Sequence, residues 1–287
     1  MGNFLCFSCR SGAGVSKWLQ PEDRTIEIRN KEGLVSWMSE ISEKTIRHRT
    51  DAKLYIEDYW TKRSPEFMKL RREELHSEKY ALWQKELCSH FPPGKALKIL
   101  DVGCGSGFFT ILLGRQGHEV TGIDLTESMI ADARALAAEE QCRVQLLVMD
   151  AENLQFPEET FDVVVSRNVT WNLPNPEQAY KEWMRVLKKG GILLNYDAEY
   201  GKYHHHEYEK EAVYSHKGVT PEMVEQCHRI YHMLDVSLWD RPQWDLDVLE
   251  KLGAASCKAD RTVWERLYPQ KDQFYMPVSL FGVCAIK

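Results

Sequence analysis

The chain has 287 residues, of which 43% are hydrophobic and 28% are charged, a balance typical of a globular protein with a substantial buried core. Its formal net charge is −6, so it lacks the basic surface expected of a protein that binds nucleic acid. No apolar run reaches the roughly 18 residues of a membrane span and no segment has the pattern of a secretory signal, so we expect a cytoplasmic protein without a membrane partner.

Residues 1–30 show no clear hydrophobic period and predict a tail or a strap over the surface. Cys6 and Cys9 form a CxxC pair there, but a zinc site needs two further ligands and none is nearby, so we predict no metal. From Lys31 to about Leu87 the apolar residues recur at helical spacing, and Pro65 predicts a break between two helices. We assign residues 1–95 to this N-terminal tail and helical region.

The stretch LKILDVGCGSG, from Leu97 to Gly107, is an apolar run typical of a buried strand, followed by three alternating glycines and a helical pattern. Glycine allows unusual backbone angles and lacks a Cβ, so a ligand can lie directly on the main chain at the carboxyl end of the sheet. The sequence therefore predicts a strand, a glycine turn that binds a ligand, and a helix.

Acidic residues end the next two predicted strands. Asp124 closes HEVTGID about 20 residues after the glycines, where a carboxylate that binds ribose is expected. Asp150 closes the third strand. A dinucleotide-binding GxGxxG turn would need glycine at the position of Phe108, so the GxGxG pattern after Asp101 disfavours a nicotinamide oxidoreductase.

A fourth strand, Phe161 to Ser166, and a fifth, ending at Asp197, alternate with predicted helices, as in a doubly wound α/β sheet. Between about 198 and 242 lies a polar, aromatic insertion that we predict to form a lid. Its run His204–His206 could suggest a metal cluster, but three consecutive side chains cannot all point inward from a regular element. We predict a solvated loop and no metal.

Four segments, DVGCGSG, GID, MDAENLQFPEETFD and LPNPEQAYKEWMRVLKKGG, resemble in order and spacing the class I S-adenosylmethionine-dependent methyltransferases, in particular their small-molecule group related to the ubiquinone-pathway methyltransferases. The resemblance implies a Rossmann-like methyltransferase fold over residues 96–287, with a mostly parallel, seven-stranded sheet closed by strands near 255–263 and 278–286. It also implies S-adenosylmethionine as cofactor and S-adenosylhomocysteine as product.

By the same resemblance, Asp101 holds the amino end of the cofactor, the glycine loop lies beside its methionine part, Asp124 binds the ribose hydroxyls and Asp150 contacts the adenine amino group. Apolar residues wall the adenine slot. Carried over by position, these cofactor contacts are Asp101, Gly103, Cys104, Gly105, Asp124, Leu125, Met129, Asp150 and Ala151.

The segment YIEDYWTKRSPEFMKLR resembles a YWxxRSxxF stretch that, in this group, folds over the bound cofactor. The resemblance implies a helical cover and makes Tyr55, Tyr59 and Arg63 candidates for contacting the cofactor's carboxylate. The alternative is that the two tyrosines are core and Arg63 is a solvated charge.

We expect the methyl acceptor to lie beyond the fourth and fifth strands, where the candidate catalytic residues are Arg167, Trp171, Tyr196 and Asp197. Aromatic rings and a carboxylate favour a cationic acceptor, whereas Arg167 favours a carboxylate on the acceptor, or a contact with the cofactor. We therefore predict methyl transfer to a small amine or amino-acid-like molecule by a monomer or homodimer. O- or C-methylation of a phenol or quinol is the alternative, and a non-catalytic S-adenosylmethionine-binding protein is the second.

Overall fold

A computed structural model describes the backbone of residues 31–202 and 219–287, and side chains from residue 48 onward. The chain divides into two compact units, Met1–Arg47 and His48–Lys287, and the second holds the sheet. Cys6, Cys9 and His204–His206 lie outside the described residues, as does much of the predicted lid. The proposed domain boundary near residue 95 stays a prediction.

The described strands form one seven-stranded sheet in the order β3-β2-β1-β4-β5-β7-β6. All neighbouring pairs are parallel except those of β7, which runs antiparallel to β5 and β6. The strands are β1 Lys98–Val102, β2 Glu119–Asp124, β3 Gln145–Val148, β4 Phe161–Arg167, β5 Leu187–Ala198, β6 Ser256–Asp260 and β7 Leu280–Ile286. The predicted doubly wound α/β sheet is confirmed, including its antiparallel last strand.

Helices cover both faces of this sheet. They are α1 Lys31–Leu75, α2 Glu78–Cys88, α3 Phe108–Arg115, α4 Glu127–Glu139, α5 Pro176–Val186, α6 Pro221–Met233, α7 Gln243–Lys251 and α8 Val263–Leu267. Trp83 of α2 lies fully buried on one face, and Trp183 of α5 lies fully buried on the other. No helix within the described ranges is long and apolar enough to cross a bilayer.

Helix α1 corrects one prediction, because it continues through Pro65 instead of ending there. Arg63 and Ser64 are buried beside this proline, so packing on both sides of the turn keeps the chain helical despite the lost backbone hydrogen bond. The break comes at Ser77, whose side chain caps α2 by accepting a hydrogen bond from the backbone N–H of Lys79.

Strand order reverses between β1 and β4, and this switch point opens a crevice at their carboxyl ends. The glycine turn after β1 lies in this crevice, and side chains from Val169 and Phe67 pack closely against it. A Cβ on Gly103 would lie 2.3 Å from Cγ2 of Val169, and one on Gly105 would lie 2.9 Å from the Phe67 ring. Both glycines also have positive φ, so no other residue fits this turn without strain.

Candidate active site

A cleft of about 1090 Å³, its open mouth included, lies at the switch point and is roofed by α1. The cleft is lined by the predicted cofactor residues Asp101, Gly103, Cys104, Gly105, Asp124, Leu125, Met129, Asp150, Ala151 and Arg167.

Asp124, at the end of β2, is fixed by two backbone hydrogen bonds. Its Oδ2 accepts from the Gly105 N–H at 3.0 Å, and its Oδ1 accepts from the Thr126 N–H at 2.9 Å. Burial raises the pKa of Asp124, and these hydrogen bonds oppose that rise. A carboxylate offers about four lone-pair sites, so two remain for a diol such as a ribose.

Asp150, which follows the neighbouring strand β3, is bridged to α1 by a lysine that sequence reasoning missed. Lys53 Nζ lies 2.6 Å from Oδ2 of Asp150 and 2.6 Å from Oε2 of Glu152. Burial lowers the pKa of Lys53, but the two carboxylates outweigh it and leave that pKa above its ordinary value. The charged lysine therefore connects the roof of the cleft to the turn that follows β3.

Asp101 lies beneath the glycine turn and is almost fully buried. Its Oδ2 accepts a hydrogen bond from the Thr110 hydroxyl at 2.6 Å. Burial raises the pKa of Asp101 to about 7, although Thr110 and the charge of Arg167 oppose the rise. A cation placed beside this carboxyl would bring its pKa down again.

Where the cleft meets the end of β4, two guanidinium groups surround one carboxylate. Arg167 donates from Nη1 to Oε1 of Glu74 at 2.9 Å and from Nη2 to Oε2 at 3.2 Å, and Arg71 pairs with the same carboxylate. Burial alone would raise the pKa of Glu74, but Arg167 and Arg71 together hold it below its usual range. Two guanidinium groups thus share one carboxylate here, and the charge of a second carboxyl, Asp101, also acts on Arg167.

Aromatic rings surround the same end. The guanidinium of Arg167 lies 4.7 Å from the centroid of the Phe108 ring and 4.9 Å from that of Phe109. Trp60 and Phe67, from α1, complete the lining. Trp60 and Phe67 stand in the YWxxRSxxF stretch, and Arg71 and Glu74 are three residues apart on one helical face, but this spacing alone does not show which face lines the cleft.

The structure places the predicted cover residues away from the cleft. Tyr59 and Arg63 are buried on another side of α1, and Tyr55 lies beside α6. The roof residues instead follow one helical face: Lys53, Ile56, Trp60, Phe67 and Arg71. Residues spaced by four share a face, and sequence reasoning chose a face that does not look into the cleft. Tyr55, Tyr59 and Arg63 are thus absent from the cleft lining, and their direct contact with the cofactor stays a prediction.

Three of the four predicted acceptor residues also lie outside the cleft lining. Asp197 is fully buried, accepts a hydrogen bond from the Trp171 N–H at 2.8 Å and pairs with Arg241 at 3.1 Å. Tyr196 packs edge-on against Trp83. Because β5 stays paired with β7 as far as Ala198, Tyr196 and Asp197 are strand residues, not loop residues. Arg167 alone reaches the cleft.

Trp171 packs against the rings of Trp60, Tyr200 and Tyr231 beside the cleft. Asn168 and Asn172, on the same segment after β4, do line it. Within residues 48–202 and 219–287, no group of three or more His, Cys, Asp or Glu side chains is arranged to hold a metal ion.

Residues 100–195 match a family model described as a methyltransferase domain. The demethylmenaquinone methyltransferase of Staphylococcus aureus strain MRSA252 is 36% identical over 120 residues, which cover 41% of this chain and 49% of that protein. The ubiquinone biosynthesis O-methyltransferase of Coxiella burnetii strain Dugway 5J108-111 is 32% identical over 100 residues, covering 35% and 43%. The chain thus spans about half the length of the curated relatives it matches.

A solved structure from Thermotoga maritima, described as an S-adenosylmethionine-dependent methyltransferase and possible histamine N-methyltransferase, aligns with a TM-score of 0.53 at 20% identity. The alignment covers 80% of this chain and 99% of that one. At this identity the likeness establishes the fold, including strands and helices outside the segment matched by the family model.

Proposed function

We propose that this chain, which belongs to the class I S-adenosylmethionine-dependent methyltransferases, moves a methyl group to an oxygen or ring carbon of a small phenol- or quinol-type acceptor. One observation carries the choice of acceptor. Arg71 and Arg167 meet at the aromatic end of the cleft around a single carboxylate, Glu74. This end suits a flat, electron-rich molecule that reacts as an anion.

Methyl transfer is an in-line displacement at a sulfonium carbon, so the protein's task is mainly to position and desolvate two reactants. Correct placement supplies about 7–11 kcal/mol of barrier reduction in well-oriented systems. A nearby positive charge favours the ionised form of a phenol and so lowers its pKa. The guanidinium of Arg167 would thereby favour the phenolate, the phenol's proton passing to solvent water, and the described lining of the cleft includes no histidine to act as a dedicated base.

The earlier expectation of an amine acceptor depended on Trp171, Tyr196 and Asp197, which do not line the cleft. Arg167, which does, disfavours a cation. The curated relatives named above are quinone-pathway enzymes, which supports the phenol or quinol alternative. An amine acceptor would have to rely instead on Glu57, a half-buried carboxylate of the cleft lining.

The test supplies radiolabelled S-adenosylmethionine with separate pools of phenols and quinols, amines, carboxylates, thiols and tRNA. We expect label in the phenol and quinol pool. Label confined to amines, and lost in Glu57→Gln, would replace our proposal with the amine acceptor. Cofactor binding without label in any pool would favour a non-catalytic S-adenosylmethionine-binding protein.

The roof helix should close on the bound cofactor through Lys53. Adding S-adenosylhomocysteine is expected to slow amide hydrogen exchange across Tyr55 to Phe67, because the ligand fills the space between the roof and Asp150. Lys53→Gln, which removes the bridge to Asp150 and Glu152, should reduce that protection and speed ligand release several-fold. Lys62→Gln is the matched control, since Lys62 pairs on the exposed side of the same helix. Equal amide exchange with and without ligand would show that α1 packs on the sheet without closing on the cofactor.

Cofactor affinity should depend on pH through Asp101. Without ligand this carboxyl has a pKa of about 7, so below pH 7 it must lose a proton before it can face the ammonium group of the cofactor. Affinity is therefore expected to rise about tenfold per pH unit up to roughly pH 7 and then to level off. Calorimetric titration between pH 5.5 and 8, in two buffers of different ionisation enthalpy, measures both the affinity and the proton released. The slope should vanish in Asp101→Asn, and an unchanged slope would rule out Asp101 as the titrating group.

A further inference from the structure

A buried polar network lies behind the cleft wall and joins β5 to α7. Arg241, 2% exposed, donates from Nη2 and Nε to the two carboxylate oxygens of Asp245 at 2.7 and 2.9 Å. Its Nη1 donates to Oδ2 of Asp197 at 3.1 Å. Both carboxylates are fully buried. Neither the sequence motifs nor the cofactor site accounts for these charges.

The network also forms hydrogen bonds to the short 3₁₀ turn Thr170–Asn172, which follows β4. The Thr170 hydroxyl donates to Asp197 and accepts from Arg241 Nη2 at 2.6 Å and from Asn195 Nδ2 at 3.0 Å. The Trp171 N–H donates to Asp197 at 2.8 Å. The turn is therefore held by a side-chain hydroxyl and a backbone amide, both bonded to the same carboxylate.

The position of this 3₁₀ turn determines the position of the cleft wall at Asn168 and Val169, on the side where we place the acceptor. Asn168 adopts a left-handed conformation, with φ of 59°, which asparagine tolerates better than most residues that carry a Cβ. It is held there by hydrogen bonds from its own N–H to the Tyr196 carbonyl at 2.7 Å and from the Trp171 indole to its carbonyl at 2.9 Å. Val169 packs directly on Gly103 of the glycine turn. A shift of the 3₁₀ turn would move this wall against the cofactor loop.

We propose that Thr170, Asp197 and Arg241 are positioning residues: they fix the turn after β4 so that Arg167 and Asn168 face the acceptor at the correct distance from the cofactor. The kinetic part of this proposal rests on the proposed methyltransferase function. Burying two carboxylates with one guanidinium is a poor way to gain stability, because desolvation costs as much as the attraction returns. The network supplies fixed geometry, and a misplacement of about 1 Å at a reacting centre can cost 10²-fold in rate.

Thr170 offers a matched pair of variants. Thr170→Val keeps the shape and removes the hydroxyl, whereas Thr170→Ser keeps the hydroxyl. Thr121→Val is the control, because it removes another buried threonine hydroxyl, which is bonded to Gln145 at 3.2 Å between β2 and β3 and has no hydrogen bond to the network. Hydrogen exchange over residues 168–173, binding of S-adenosylhomocysteine, and methyl transfer to the labelled acceptor pool are measured for each.

We expect Thr170→Val to speed amide exchange over 168–173 and to lower kcat at least tenfold, with S-adenosylhomocysteine affinity within threefold of the parent. Thr170→Ser should restore both, and Thr121→Val should change kcat less than twofold. Unchanged exchange in Thr170→Val, or an equal loss of kcat in Thr121→Val, overturns the proposal. If the parent chain transfers no methyl group, the proposed function fails, and the exchange data still decide whether the network positions the turn.

Discussion

Replacing Asp124 with alanine is expected to weaken the binding of S-adenosylmethionine and S-adenosylhomocysteine at least a hundredfold. The carboxylate would lose two hydrogen bonds to ribose hydroxyls, which contribute about 1.5–3 kcal/mol each when one partner is charged. It would also lose its bonds to the N–H groups of Gly105 and Thr126, which shape the glycine turn. A loss of about 3 kcal/mol corresponds to a little more than a hundredfold in the dissociation constant. Calorimetric titration measures it.

Asp162 provides the control for this substitution. Its carboxylate, near the start of β4, accepts from the Lys98 N–H at 2.9 Å and pairs with Lys188 at 3.0 Å, at the edge of the sheet opposite the cleft. Asp162→Ala should therefore change folding stability and leave cofactor affinity within twofold. Folded Asp124→Ala with the affinity of the parent chain, or a preference of the parent chain for NAD, would remove the assignment of the cleft as an S-adenosylmethionine site.

The carboxylates of the cofactor half could be predicted because parallel strands place their last residues at one edge of the sheet. Asp124 and Asp150 each follow an apolar run of strand length, and Asp101 ends the run before the glycines. Local pattern and chain order suffice for such positions, since no knowledge of distant packing is needed.

The roof of the cleft could not be read in the same way. A long amphipathic helix offers several faces, and which one looks into the cleft is decided by the helices and turns packed around it. Tyr59 is more apolar than Lys53 and sits in the motif, yet it packs beneath α6, whereas Lys53 reaches two carboxylates nearly a hundred residues away along the chain. Neither pairing has a local signal.

The end of β5 is a second feature that could not be predicted from the sequence. The sequence places Tyr196 and Asp197 at the carboxyl end of a parallel strand, where a loop residue would face the ligand. Strand β7 is long enough to pair with both, through Gly282 and Phe281, so the strand runs on to Ala198. The length of one strand is thus fixed by a partner more than eighty residues away, and alternation within the sheet turns Asp197 into the core.

Replacing Arg167 with glutamine is expected to lower kcat/KM for a phenol-type acceptor by about 10²–10³, the loss typical when one group that stabilises developing or acceptor charge is removed. At a pH above the range in which Asp101 titrates, S-adenosylhomocysteine affinity should stay within threefold, because the guanidinium faces Glu74 and the aromatic rings, while the expected ribose and adenine contacts lie elsewhere in the cleft. Folding should survive, since Glu74 keeps Arg71 as a partner and no buried carboxylate is stranded. Steady-state kinetics and calorimetry on the same preparation measure both effects.

The pH profile and the choice of acceptor decide whether this loss has the proposed cause. Without the positive charge a phenol ionises at higher pH, so the rise of kcat/KM with pH should move upward in Arg167→Gln. An electron-poor phenol that is already ionised at neutral pH should recover most of the lost rate. Arg185→Gln, which breaks an arginine–glutamate pair outside the cleft, is the control for general destabilisation. If the electron-poor phenol is impaired as much as an ordinary one, Arg167 acts by holding the cleft wall in place, because a guanidinium that only promotes ionisation has nothing to add to an acceptor that arrives as an anion.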